Sequence, residues 1–417
     1  MMKRTTILLS LAAIFAIVAL ISSLRVERVN AQVPMHFGAQ RAPAISVDRN
    51  DNLFLTMSVA TNDASAMTPG SQTFFTISRD GGANWNNLPF TKNLSKSKGE
   101  AFGPSIAIFK PGKGKAYIVY HDNSKGTTQA YFIGSKKGAK FKKARNITPG
   151  TGGAFSPRVD VDSTGAINVV WGDTTDGGKK VMFLRSTDDG TTFSEPLDIS
   201  RSSGQAFEPE IAIDSNDAIN VVWEDSATGQ NAIMFSRSTD GGETFSEPLQ
   251  VSTGDSLATE AHINIDSSNH LHIVWIEATE DDSQAFYSQS TDGGETFSAP
   301  LNLSDNRSRN VHKAIVTTTG DTVYVAYHSE GGARRQVFLV KSENAGSSFS
   351  EPEQVSRADN NKGRAHSPAM VADSTGRLHL VWIDSSIVGN EEGVLFYSNT
   401  RNGRSFSDQK VIVAALP

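Results

Sequence analysis

Seven short stretches of this chain open on a residue whose type changes from one to the next: Ala44, Ser105, Arg158, Glu210, His262, Lys313 and Ala369. A purely architectural position would hold similar small residues. Here four in succession bring a guanidinium, a carboxylate, an imidazole and an ammonium toward one region, a mixture able to bind an anion or move a proton. Arg307, Arg309, His312, Arg364 and His366 lie nearby in sequence, with His121 and His328 one place after a tyrosine. A second set is acidic: Asp122, Asp173, Asp225, Glu277 and Asp384 each stand two places after a Tyr or Trp. Each acid suits the capping of its own loop. Together they suit an incomplete acidic ring that attracts a cation, an amine or a basic partner. Calcium is compatible with such oxygen ligands, although no ligand spacing demands a cofactor. The expected ligand-binding set is Arg158, Glu210, Asp225, His262, Glu277, Arg309, Lys313, Arg364 and His366, with Glu210 and Asp225 as weak candidates for proton transfer. His270 and His272 share one face of a strand, where packing or edge polarity explains them better than a metal pair does.

These residues recur because the chain repeats. Trp171-Gly172-Asp173 returns as Trp223-Glu224-Asp225, Trp275-Ile276-Glu277 and Trp382-Ile383-Asp384, with Tyr120 and Tyr327 in the same slot elsewhere. A second phrase follows each and ends on an aromatic at 85, 141, 193, 245, 297, 349 and 406, at intervals of 56, 52, 52, 52, 52 and 57 residues. Each copy reads as four strands. In the third, Arg158 to Asp162 alternates, Asp162 to Gly165 is a turn, and Ile167 to Trp171, Lys180 to Ser186 and Thr192 to Ile199 complete the set. Four strands repeated seven times predict an all-β, seven-bladed β-propeller of four-stranded antiparallel blades. The blades are expected at about 43–95, 104–148, 157–200, 209–252, 261–304, 312–356 and 368–414, after a lead-in at 32–42. Ring closure is expected by packing of blade seven on blade one without a shared sheet. Ile106, Val159, Ile211, Ile263, Ala314 and Met370 are read as equivalent, and Trp171, Trp223, Trp275 and Trp382 are expected between sheets.

The second phrase reads Ser78-x-Asp80-x-Gly82-x-x-Trp85, Ser186-x-Asp188-x-Gly190-x-x-Phe193, Ser238-x-Asp240-x-Gly242-x-x-Phe245, Ser290-x-Asp292-x-Gly294-x-x-Phe297 and Ser342-x-Asn344-x-Gly346-x-x-Phe349. Copies two and seven are worn, keeping Gly138 with Phe141 and Gly403 with Phe406. This element resembles the Asp-box, or BNR repeat, over almost the whole chain after residue 40. The resemblance implies a hairpin between third and fourth strands, with Ser and Asp holding the turn and the aromatic packed between blades. It places binding on the opposite face. Asp-box proteins include sialidases, which use three arginines around a carboxylate, a Tyr nucleophile with a Glu partner, and an Asp acid/base. Their Arg-Ile-Pro phrase is absent here; the nearest text is Gln40-Arg41-Ala42-Pro43. That family also has six blades. Arg158, Arg309 and Arg364 could meet an anion, yet no complete sialidase site assembles from the sequence.

The 417 residues contain 39 Lys plus Arg, 45 Asp plus Glu and no Cys. Disulfide scaffolds, thiolate zinc sites and cysteine nucleophiles are therefore excluded, and the acidic balance argues against nucleic acid. Lys3 and Arg4 precede an uncharged apolar run from Thr5 to Ser23, and Val29 and Ala31 suit a signal-peptidase site. Residues 1–31 are thus expected to be a signal peptide, or an uncleaved anchor, making the protein secreted, periplasmic or held at the cell surface, with no later membrane span. The expected function is an exported, non-catalytic propeller whose charged top face binds a glycan or an extracellular or envelope protein, as a monomer. The alternatives are a divergent sialidase-like exo-glycosidase and a scaffold or assembly factor for an envelope complex.

Overall fold

The computed structural model describes residues 43–61, 70–85, 92–110, 114–137, 140–150, 152–175, 177–254, 256–278, 282–304, 310–331, 334–357, 364–384 and 394–413. The signal-peptide expectation, the lead-in, Gly138, Arg307 and Arg309 lie outside them. Every regular element among the described residues is a β-strand, and no helix there is long and apolar enough to cross a membrane. The strands form seven antiparallel sheets in chain order, six of four strands and one of five, each built from contiguous sequence. Blade four is representative: Ala206–Ile213 innermost, then Ile219–Asp225, Ala232–Ser238 and Leu249–Gln250. Its second strand, Ile-Asn-Val-Val-Trp-Glu-Asp, is buried on both faces, as a strand sandwiched between neighbouring sheets must be. The outer strands of blades three to six are only two residues long. Thr192 to Ile199 was expected as a full strand; Leu197–Asp198 is what forms, because Pro196 lacks the N–H that a longer ladder needs.

Seven hydrophobic clusters fill the seven gaps between blades. Trp223, Ala206 and Val221 of blade four meet Val170, Val181 and Phe183 of blade three. The seam between blades seven and one has the same construction, with Val381, Leu395 and Tyr397 against Leu53, Leu55 and Met57, and no strand is shared across it. All four Trp of the repeated second-strand slot are at most 1% exposed.

The Asp-box turns stitch neighbouring blades together. In the fourth copy Ser238 Oγ donates to Asp240 Oδ1 (2.8 Å) and accepts from Gly242 N (2.8 Å), while Asp240 accepts from Thr244 N (3.0 Å). The worn seventh copy keeps the device with Thr400 and Asn402. In six of the seven copies the box aromatic meets an aromatic on the third strand of the preceding blade edge to face, as Phe245 on Phe183 at 5.1 Å, Phe297 on Phe235 at 5.2 Å and Trp85 on Tyr397 at 5.6 Å. Gly242 sits at φ +86° with Phe183 so near that a Cβ would lie 2.3 Å from the ring. Because connections alternate between faces in a four-stranded meander, the Asp-box turns share one face with the inner hairpin turns. The channel mouth with the other loops is opposite.

This close approach yields a test. Gly242→Ala should cost about 2–4 kcal/mol, adding ring displacement to backbone strain. Gly177→Ala, also at positive φ but with nothing within 4 Å, should cost only about 1–2 kcal/mol. Urea unfolding midpoints of the two variants measure the difference; equal losses would show that the Gly242 contact does not hold the seam.

Candidate functional site

Each inner strand presents an open edge to the channel, so its unpaired N–H groups need acceptors. The chain supplies them from the preceding blade. Val159 N donates to Ser105 Oγ (3.3 Å), Ile213 N to Asp160 Oδ2 (3.0 Å) and Val316 N to His262 Nδ1 (3.4 Å). Nearer the mouth, blades two to seven each carry a β-bulge, seen as a register shift between Phe102 and Ser105, Phe155 and Arg158, Phe207 and Glu210, Thr259 and His262, His312 and Ile315, and His366 and Ala369. The bulged residue has positive φ: Gly103, Ser156, Glu208, Glu260, Lys313 and Ser367. On blades three, five and six its N–H turns to the preceding blade, where His121 Nδ1 accepts from Ser156 (3.2 Å), Glu224 from Glu260 (2.8 Å) and Glu260 from Lys313 (2.5 Å).

The bulges revise the expected alignment of blade six. Lys313 is equivalent to Glu208 and Glu260; the position of Arg158, Glu210 and His262 is filled there by Ile315, which pairs with Ala326 as Glu210 pairs with Val222. Val316, not Ala314, matches Ile211 and Ile263. Lys313 still reaches the channel, a cavity of about 510 Å³ lined by the inner strands of all seven blades.

Four of the expected residues meet in this channel: Arg158, Glu210, His262 and Lys313. Arg158 Nε lies 2.6 Å from Glu210 Oε1, and both side chains are more than three-quarters buried. Burial alone would raise the Glu210 pKa, but Arg158, His262 and Lys313 together hold it below its ordinary value. Glu210 is therefore a fixed counter-ion, ionised at neutral pH. Burial pushes His262 down to about 4, against the pull of Glu210.

The acidic set lies elsewhere. Asp225 accepts from Trp223 Nε1 (3.2 Å), Ser202 Oγ (2.7 Å) and Ala227 N (2.8 Å). Glu277 accepts from Trp275 Nε1 (2.9 Å) and Ser256 Oγ (2.8 Å), and Asp173 and Asp122 hold their own loops. Asp173, Asp225 and Glu277 anchor buried indoles, and Asp122, Asp173 and Asp225 cap the turns that follow them; none of the four lines the channel with Arg158 and Glu210. His366 and Arg364 sit on blade seven, Arg364 N donating to Asp384 (3.3 Å). His272 is fully buried, bonded to Tyr287 Oη (2.7 Å) and 3.4 Å from Asp266. Among the described residues no three His, Asp or Glu converge as a metal-ligating group.

Sequence reasoning missed the rim. The residue before each bulge points to the mouth, and on blades two to four it is Phe102, Phe155 and Phe207. With His121, Glu208 and Lys179 they line a pocket of about 360 Å³. Phe155 is 41% exposed, large for an aromatic; Lys179 Nζ lies 4.6 Å from the Phe207 ring centre, and Phe102 stands edge-on to His121 at 3.7 Å. The signal was present as Phe-x-Pro, repeated at 102–104, 155–157 and 207–209. Glu224 was missed too. Burial, with Glu208 and Glu260 nearby and despite the bond from Glu260 N, lifts it to about 7.

A family model described as a BNR repeat-like domain matches residues 165–380, just over half of the chain. The chain belongs to the BNR repeat-like family. Its sialidase-like propeller is shared with several solved structures. An ulvan lyase of a new polysaccharide lyase family, bound to -[GlcA(1-4)Rha3S]-, matches with a TM-score of 0.62 at 12% identity, covering 88% of this chain and 95% of that one. A protein of unknown function from Dyadobacter fermentans matches with a TM-score of 0.53 at 17% identity, over 72% and 94%. The Hadza microbial sialidase matches with a TM-score of 0.51 at 16% identity, over 70% and 64%. At these identities the likeness is one of fold. No curated protein matches this BNR-repeat chain.

The buried histidines set an acid limit on stability. His262 and His366 are each held at about 4, His366 by burial and then by Arg335, against about 6.5 in an unfolded chain. A depressed folded pKa means the unfolded state takes up protons first. Stability is then complete above about pH 6.5 and falls as pH drops toward 4. Thermal melts across this window should show a falling Tm, with a shallower fall in His366→Asn; an unchanged slope would mean that His366 protonates in the fold without cost.

Proposed function

We propose that the chain is an exported, non-catalytic propeller that binds a glycan across the mouth of its channel. The observation that carries this reading is the wall of Phe102, Phe155 and Phe207 beside polar and charged groups. Flat exposed rings present apolar faces that match the C–H faces of sugar rings, while neighbouring polar groups fix orientation. Likeness in fold to a polysaccharide lyase and a sialidase supports a glycan over a protein as the occupant. Export rests on the charged and apolar pattern of residues 1–31.

The same geometry supports binding without catalysis. Glu210 is held ionised by Arg158 and has no proton to give near neutral pH. Asp225 is committed to Trp223 and its loop. Tyr120 and Tyr327 are fully buried, and among the described residues no tyrosine lines the mouth or the channel. One observation favours the hydrolase alternative: Glu224, at about 7, has the acidity of a general acid. It is 3% exposed and already accepts from Glu260 N, which suits a structural acceptor better.

Affinity electrophoresis of the full-length chain through neutral and acidic polysaccharides, with and without calcium, tests the reading, alongside an assay for released reducing ends and unsaturated products. Retardation without product is expected, weakened about tenfold or more in Phe155→Ala and Phe207→Ala at unchanged Tm, since stacked rings each contribute about 1 kcal/mol or more. Retardation indifferent to both substitutions would remove the proposed wall. Product formation abolished in Glu224→Gln would replace binding by hydrolysis or elimination.

A further inference from the structure

On blades six and seven the rim positions held elsewhere by Phe102, Phe155 and Phe207 are His312 and His366. His328, on the second strand of blade six, lies between them, with ring centres 5.4 Å from His312 and 6.2 Å from His366. His328 is equivalent to His121 of blade two, whose Nδ1 accepts the N–H of the next bulge. His328 is 7% exposed, yet its Nδ1 has no hydrogen-bond partner among the described residues. The bulge-accepting role that explains His121 therefore does not explain His328.

The surroundings are basic. Lys313 and Arg335 both lie within electrostatic reach of His328, and Arg335 also of His366. Two carboxylates border the group: Glu330, which pairs with Arg335 Nε at 2.6 Å, and Glu260, which accepts from Lys313 N. Neither is bonded to an imidazole. Arg335 is 45% exposed at the side chain and keeps its two terminal nitrogens for a second acceptor. Burial first, and then the neighbouring cations, keeps His328 and His366 well below the ordinary imidazole value. At neutral pH His328 and His366 are uncharged N–H donors, and Arg335 and Lys313 supply full positive charges.

We propose that His312, His328, His366 and Arg335, with Lys313, form an oxyanion subsite at the channel mouth, taking the carboxylate or sulfate ester of an acidic polysaccharide whose sugar rings lie on the phenylalanine wall. The identity of the anion's carrier rests on the glycan reading above; the subsite itself does not. It makes the mouth bipolar, with apolar stacking on blades two to four and anion capture on blades six and seven.

The test compares matched polymers on the full-length chain: dextran with dextran sulfate, and methyl-esterified with free polygalacturonate. Wild type should bind the charged member about tenfold or more tightly than the neutral one. In Arg335→Gln and His366→Gln that preference should fall to about two- to threefold, with binding of the neutral polymer unchanged. Arg335 is exposed, so its variant keeps the test valid if a histidine variant fails to fold. A preference that survives both substitutions, or none in wild type, overturns the subsite. If no polymer binds, the glycan reading fails alone, and inorganic sulfate decides the subsite through the imidazole 15N resonances. Saturable shifts of His328 and His366 that weaken in Arg335→Gln support an oxyanion site for a free anion; no saturable shift overturns it.

Discussion

Each Asp-box glycine among the described residues lies against an aromatic ring of the blade before it, and the packing of the blades depends on that contact. A Cβ at Gly190, Gly242 or Gly294 would lie 2.3 Å from Phe132, Phe183 or Phe235. The turn must therefore be held with its glycine at positive φ, which the Ser and Asp of the box do by accepting the turn's own N–H groups. Once the turn is fixed, the box aromatic falls on the same neighbouring ring and the seam is dry. Closure uses the same means as the other seams: besides the hydrophobic cluster, Tyr397 packs on Trp85 and donates to Gly81 O (2.9 Å), and Ser374 donates to Asp51 as Ser163 does to Asp217. A propeller that exchanges no strand between first and last blades must close by side chains alone, and here every seam is built for that.

The inner strands carry the opposite constraint. They are edge strands facing a channel, and their free donors must be answered without a further strand. On blades three, five and six the bulge at the mouth is part of the answer, because it turns one N–H to a side chain of the preceding blade. The cost is a buried acceptor at the seam, which is why His121 and Glu224 sit where few titratable groups would be tolerated. The residue before the bulge is at the same time pushed toward solvent. Structural need and display of side chains at the mouth therefore arise from one backbone feature, and unusual acidity at Glu224 is first a consequence of the fold.

Much of the architecture was legible because repetition amplifies weak signals. A single Ser-x-Asp-x-Gly turn means little, but five at nearly constant spacing fix the third and fourth strands of most blades. Register within the inner strand was not legible. Counting from Lys313 by the repeat length misses that Ile315 fills the place of His262, since the bulge is a backbone event with no fixed residue type. The Arg158–Glu210 pair joins residues 52 apart in sequence, and nothing local announces it. The acids after each aromatic looked like a ring around the mouth; in fact three of them, Asp173, Asp225 and Glu277, accept from the buried indole two residues before. Phe-x-Pro was readable, yet without knowing that Pro follows a positive-φ bulge there was no reason to set those phenylalanines apart from core.

The two faces of the ring differ in how their copies diverge. On the Asp-box face substitutions come in compensating sets. In blade three Arg185 joins Asp162 to Gly241 O of the next blade; in blade seven, His379 and Tyr397 join Asp373 to Gly81 O by a different chain of atoms. The bond across the seam is preserved while the residues change. At the mouth the sequence of Phe102, Phe155, Phe207, Thr259, His312 and His366 preserves no bond. The backbone beneath is the same bulge in every case, so packing does not dictate the change from ring to hydroxyl to imidazole. This variation is not required by folding and is gathered around one opening, where it sets an apolar arc of phenylalanines beside a basic arc of histidines, the two unlike sides that the proposed acidic glycan would meet.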